Sequence, residues 1–369
     1  MLTRLFIDNF KCFVNFEYRP AREQLILGDN GSGKTTLLDA LLFLRQVAVK
    51  GAALDDFFIL GRRTRWLSQP SQVIELEAIL DGTSYTYRLV MEPSDDPTKA
   101  RVRTEKVSIA DRPLFSFDEG QVSLFNDQFE HTTDYPFDRN RSALALVATP
   151  GKDYRALARF RRWLSSLYCF KLNPFGMDPR ADKQDSSPNV DLRNIVAWYR
   201  FLNQTDPRQT SALLESLRAA MPGFEYLMLE PAGENVMLLM AEFAQSCGTS
   251  TKFYLSELSD GQRCLIALYI VLHFVLAKGG TVIIDEPDNF ISLREIQPWL
   301  LAATDTTEQS GGQLILISHH PELINQWAPN YGVQFVRDGL GPVRVKAFRG
   351  DPDSSLSPAE LVARGWENG

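Results

Sequence analysis

Thiols and imidazoles are scarce in this chain, which has four cysteines and four histidines among 369 residues. Cys12, Cys169, Cys247 and Cys264 form no C-x-x-C pair and have no histidine at ligand spacing. That argues against both a disulfide framework and a zinc site. Positive charge is short as well: the formal net charge is -7, so nucleic acid could be held only by a local basic groove. No apolar run stands out as a membrane span. The longest, Cys264 to Ala277, reads as too short for a bilayer and contains His273, so a buried helix is expected. The opening MLTRLFIDNFKCF alternates as a strand and lacks the apolar core and cleavage site of a secretory leader. A cytoplasmic location is therefore expected. Sustained heptads are missing too, which excludes long coiled-coil arms.

What remains is ordinary globular material, 44% hydrophobic and 23% charged, enough to bury one large core or two. Within it LILGDNGSGKTT (25–36) fits G-x-x-x-x-G-K-[ST] through Gly28, Gly33, Lys34 and Thr35. An apolar strand precedes it and a helical pattern follows, the context this motif requires. Such a loop wraps backbone N–H groups around phosphate oxygens, where a Cβ would clash, and the helix behind it offers its positive end to the anion. Gly28, Asn30, Gly31, Ser32, Gly33, Lys34, Thr35 and Thr36 are the candidate ATP-binding residues. Lys34 would bridge the β and γ phosphates, and Thr35 would offer its hydroxyl to Mg²⁺.

A metal-assisted phosphate site needs a carboxylate at a second strand end. TVIIDEPDNF (281–290) supplies it, an unbroken apolar strand closing on Asp285 and Glu286. Such runs are fully buried parallel strands, and ligands gather at their carboxyl ends. Asp285 is placed to hold Mg²⁺, and Glu286 to polarise the water that attacks the γ-phosphate. QLILISHHPEL (313–323) repeats the design. His319, at its strand end, can donate to the γ-phosphate and sense its loss, whereas His320 reads as a solvent-facing loop residue.

YLSELSDGQRCLIALYIVLHFVLAK (254–278) sets a Ser-Asp-Gly-Gln turn before a long apolar helix. By itself that is an ordinary helix start. The order of all four motifs decides otherwise, because phosphate loop, LSDGQ (258–262), hhhhDE (281–286) and strand-borne His together resemble the ABC ATPase superfamily. The resemblance implies that Ser259, Gly261 and Gln262 bind, in trans, the ATP held by a second subunit of a head-to-tail dimer. The opening LFIDNFKCFVNFEY, with Phe10-Lys11 in its turn, is similar to the RecF/SMC/OLD-like branch, and Lys11 could then reach nucleotide.

The long segment between phosphate loop and signature reads in two parts. Residues 71–125 alternate as antiparallel strands, and 152–220 are helical apart from the polar loop 173–190. Strands resume at 224–243. The expected fold is α/β, a P-loop ABC ATPase head with an antiparallel β subdomain and an inserted helical lobe. Its expected limits are 1–150 for the first lobe, 151–275 for the helical lobe, 276–349 for the return and 350–369 for a tail.

That arrangement resembles the compact stand-alone prokaryotic ABC ATPases found with phage-defence systems, which implies an ATP-driven homodimer controlling a separate nuclease or toxin. A RecF-like DNA-repair or DNA-binding clamp is the alternative, and a transporter motor is disfavoured by the insert, as is any membrane partner. Two departures stand out. The acidic pair runs on as DEPDNFISL without the family's usual His-Pro, and Gln69, Gln72 and Gln128 compete for the glutamine that links sheet to helical lobe. The basic stretches 61–65 and 155–162 read more readily as solvated faces than as a phosphate track. Asp351 and Asp353 lie in a polar turn, RGDPDSSLSP, rather than in a nuclease metal site.

Overall fold

The computed structural model describes residues 1–56, 62–96, 99–147, 152–245, 248–349 and 356–365. The chain divides into two compact units, the first from Met1–Leu167 with Tyr331–Arg349, the second chiefly Tyr168–Asn330. Sequence had placed the first boundary near 150 and the return near 276.

In the first unit, eight antiparallel strands form one sheet that starts from Leu2–Asp8 and Phe16–Tyr18 and runs through Gln72–Leu80 to His131–Pro136. Alternation in the sequence foretold it. Strand Thr83–Pro93 buries Tyr85, Tyr87, Leu89 and Met91 and turns the residues between them outward, the period-two pattern of a sheet with one covered face. The cover is helix Arg155–Ser165, which buries Leu157, Phe160, Trp163 and Leu164. The Phe160 ring centroid lies 5.9 Å from those of Tyr85 and Tyr87. This stacking draws the helix to the sheet of the first unit, although its sequence pattern resembles that of the helices that follow. Two of its four arginines are occupied locally: Arg159 pairs with Asp81, and Arg161 donates to the carbonyls of Val147 and Ala145.

A second group of strands in this unit carries the phosphate loop. Glu23–Leu27 is buried along its whole length and pairs in parallel with Gly332–Arg337, which turns back antiparallel onto Val343–Ala347. In sequence GVQFVRD and PVRVKAF, around Gly339 and Gly341, read as a hairpin, and this pair forms it.

The second unit holds the other buried parallel pair, Thr281–Asp285 beside Gln313–Ile317, in register from Thr281 opposite Gln313 to Asp285 opposite Ile317. Strand Leu167–Lys171 flanks Thr281–Asp285. Sequence had run the preceding helix through to Tyr168, but the chain leaves it at Ser165, because aromatic-rich LYCFK suits a pleated strand better than a helix. Helices Ile195–Thr205, Pro207–Ala220, Asp260–Phe274 and Leu293–Ser310 pack in this unit beside a small sheet built on Phe224–Pro231 and Met237–Ala244. Trp299 is fully buried and donates its indole N–H to Leu268 O at 3.0 Å, tying two of these helices together. Counted to Lys278, the apolar helix is 19 residues and long enough by composition to cross a membrane, longer than sequence suggested; 67% of its most apolar 18 residues are buried in the protein.

Candidate functional site

The phosphate loop lies in the first unit; the acidic pair, the signature turn and the histidines lie in the second.

Gly28 has φ +142°, and a Cβ there would lie 2.4 Å from Phe335 O on the neighbouring strand. Only glycine lets the loop pass so close to that strand. Gly33, at φ +103°, caps helix Lys34–Ala48 without any side-chain bond. The first turn of that helix contains no acidic residue, so its N–H groups and dipole are left to an anion. Lys34 folds its ammonium back over the loop, donating to Gly28 O at 2.5 Å and Asp29 O at 2.9 Å. Ser32 is buried, yet its Oγ has no hydrogen-bond partner among the described residues. A buried hydroxyl without a partner costs free energy that a phosphate oxygen would recover. Asn30, Gly31 and Thr35 are exposed, while Thr36 is half-buried against the Cys12 thiol at 3.5 Å. Lys11 forms an ion pair with Asp39, on the phosphate-loop helix.

In the second unit Asp285 ends its strand nearly buried, with the Lys171 ammonium 3.3 Å from its carboxylate. A carboxylate at a strand end is suitable chemistry for a hard divalent ion, which would have to displace the Lys171 ammonium. Glu286 leaves the strand at φ +50°, a left-handed conformation uncommon for any residue but glycine. Its N–H is held by Ile317 O at 2.8 Å, and its carboxylate accepts from the Asn289 amide at 2.6 Å. Asp288 sits in the same turn, buried against the Ser318 hydroxyl, and that burial raises its carboxyl above the usual range despite the bond. His319 is exposed at the neighbouring strand end, while His320 N–H donates to Ser318 Oγ at 3.0 Å.

Ser259 caps the signature helix. Its Oγ accepts from Gln262 N–H at 3.3 Å, and the Gln262 side chain accepts from Ser259 N–H at 3.0 Å. Both readings of the turn thus survive, because this capping box leaves Ser259 exposed at the positive end of a 15-residue helix. Gly261 is packed so that a Cβ would lie 2.8 Å from Phe290 O, which brings the turn after the acidic pair against the signature.

The chain is 28% identical over 221 residues to the DNA replication and repair protein RecF of Thermomicrobium roseum, matching 56% of this chain and 55% of the relative. It is 31% identical over 124 residues to human structural maintenance of chromosomes protein 2, matching 33% of this chain and 10% of the relative. It thus spans about half of one curated relative and a tenth of the other. In fold it is similar to a Pyrococcus furiosus Smc head domain with an extended coiled coil, bound to the C-terminal domain of ScpA. There the TM-score is 0.50 at 12% identity, covering 99% of this chain and 98% of that one. Residues 25–325 match the family described as "AAA domain, putative AbiEii toxin, Type IV TA system", and residues 4–44 match another described as "AAA domain". The chain belongs to the first family and is a P-loop ATPase similar to RecF and to structural maintenance of chromosomes proteins.

Three features of this ATPase escaped the sequence reading. Lys171 is remote in sequence from Asp285, and no local signal marks it. Asn289 and Asp288 stood in plain view inside DEPDNF, but only folding shows that one holds Glu286 and the other Ser318. The Gln262 side chain is engaged as a cap, which the Ser-x-x-Gln spacing signals but the sequence reading did not use.

Proposed function

We propose that this ATPase binds Mg²⁺·ATP along Gly28–Thr36 and hydrolyses it, with Glu286 as general base and His319 donating to the γ-phosphate. Thr35 and Asp285 would hold the metal, which supplies charge neutralisation at the phosphates. ATP pairs the chain head-to-tail with a second copy, whose Ser259, Gly261 and Gln262 complete the site in trans. The pair holds or releases a separate effector, a nuclease or toxin, in prokaryotic antiviral defence in the cytoplasm.

The observation that carries the ATP half is the loop around Lys34, a folded-back ammonium beside the buried, unsatisfied Ser32 hydroxyl. Support for the effector half is the family description, which names a toxin and a toxin–antitoxin system. A second reading has equal support from the RecF relative: a DNA-repair or DNA-binding clamp that would grip duplex only with ATP and with a steep salt dependence.

The test uses three variants. Lys34→Ala should lose nucleotide affinity in calorimetry, since it deletes the charge that faces the phosphates. Glu286→Gln should keep affinity, slow hydrolysis by about a hundredfold or more, and accumulate as a dimer in light scattering with ATP and Mg²⁺. Ser259→Arg should stay monomeric, its bulk blocking the trans contact. A Glu286→Gln protein that remains monomeric at high concentration overturns the pairing; ATP-dependent duplex binding by the wild type would favour the clamp.

A further inference from the structure

The turn that follows Asp285 contains more than a connection. Glu286 bears a long side chain that, if left in solvent, would sample many rotamers and spend little time aimed at one water. Here its backbone is pinned in the left-handed region by the 2.8 Å bond to Ile317 O. Its carboxylate is pinned separately, by the 2.6 Å bond from Asn289 Nδ2 to Oε2. Asn289 is itself fixed, because its N–H donates to Glu286 O at 3.3 Å and Ile291 N–H donates to Asp288 O at 3.2 Å. Asp288 anchors the turn from beneath, buried on Ser318 at the end of the adjacent strand.

From these contacts we infer that Asn289 is a positioning residue, whose amide fixes one oxygen of Glu286 and leaves the other to accept from the attacking water. The inference rests on the proposed role of Glu286 as the base. An amide suits that role because it donates to the carboxylate without adding charge, whereas an Asp of the same shape would repel it. A surface Asn–Glu bond of no consequence would not need a residue held at φ +50° to form it, and that conformation is tolerated only where the surroundings impose it.

The experiment separates binding from turnover. In full-length protein, Asn289→Asp and Asn289→Ala should lower kcat on the order of 10- to 100-fold, the loss expected from a misplaced reacting group. KM, calorimetric ATP affinity and melting temperature should stay near wild type. Asn289→Gln, which keeps the amide donor, should recover part of kcat. Wild-type kcat in Asn289→Asp overturns the inference. So does a loss of kcat that travels with lost ATP affinity and a lowered melting temperature, since the residue would then merely hold the turn. Glu286→Gln is run in parallel. If it hydrolyses ATP like wild type, the general-base reading has failed; if it is inactive while Asn289→Asp is normal, only the positioning role has.

Discussion

At the scale of single residues, the site is built from backbone geometry that very few side chains tolerate. Gly28 is the sharpest case. Its φ of +142° is strained for any residue with a Cβ, and the space that a Cβ would need is taken by Phe335 O at 2.4 Å and Ser32 Oγ at 2.7 Å. The first of these is main chain in a paired strand and cannot swing aside. Gly28→Ala should therefore destabilise the protein by about 2 kcal/mol or more, seen as a lower urea midpoint, and should abolish nucleotide binding in calorimetry. A variant with wild-type midpoint and affinity would mean the loop passes the strand with room to spare. Gly31 differs: it has φ +84° but nothing within 4 Å of a built Cβ, so conformation alone asks for glycine there.

At the scale of elements, the signature helix links its exposed cap to a half-buried histidine near its far end. His273 bonds Ser216 of helix Pro207–Ala220 at 2.8 Å, and burial lowers its pKa from 6.5 to about 4. The folded protein therefore keeps this imidazole neutral, while the unfolded chain takes up a proton below about pH 6.5. Linkage fixes the sign. Stability contributed by the neutral form is fully present above pH 6.5 and is lost progressively as pH falls toward 4. The urea midpoint of the wild type should drop between pH 7 and pH 5.5 by more than that of His273→Gln. Equal drops in both would show that His273 is solvated in the folded protein. The helices and strands around it were largely legible beforehand, since their periods of 3.6 and 2 are written in local sequence. Leu167–Lys171 was not, because five residues are too few for a period to outweigh the helix before them.

At the scale of the molecule, the chain leaves its first unit at Leu167 and re-enters it at Tyr331. The motifs are therefore shared between the units, with the phosphate loop in one and the acidic pair in the other. Among the described residues no group of three or more His, Cys, Asp and Glu side chains is gathered as a metal site; Asp351 and Asp353 lie outside those residues. In the proposed regulator reading, chemistry on a target belongs to the effector. Plasmid DNA or RNA incubated with the pure protein, ATP and Mg²⁺ or Mn²⁺ should remain intact. Cleavage that survives purification and disappears in Asp351→Ala/Asp353→Ala would make the chain a self-contained nuclease and remove the need for a partner.

Sequence by itself determined the four motifs, the antiparallel strands and the terminal hairpin. Each of these rests on interactions among neighbours in the chain: a phosphate cradle needs consecutive N–H groups, and a half-buried strand needs alternation. Only the tertiary structure decided the company each functional group keeps. That Lys171 faces Asp285, that Ile317 fixes the backbone of Glu286, that Phe335 O leaves room for nothing but glycine at 28, and that Phe160 draws its helix onto the first sheet are contacts between segments far apart in the chain. Local pattern fixes which face of an element is apolar or polar. Which partner that face meets is set by the packing of the whole chain, where dense burial allows few arrangements and each carboxylate must find its cation or donor.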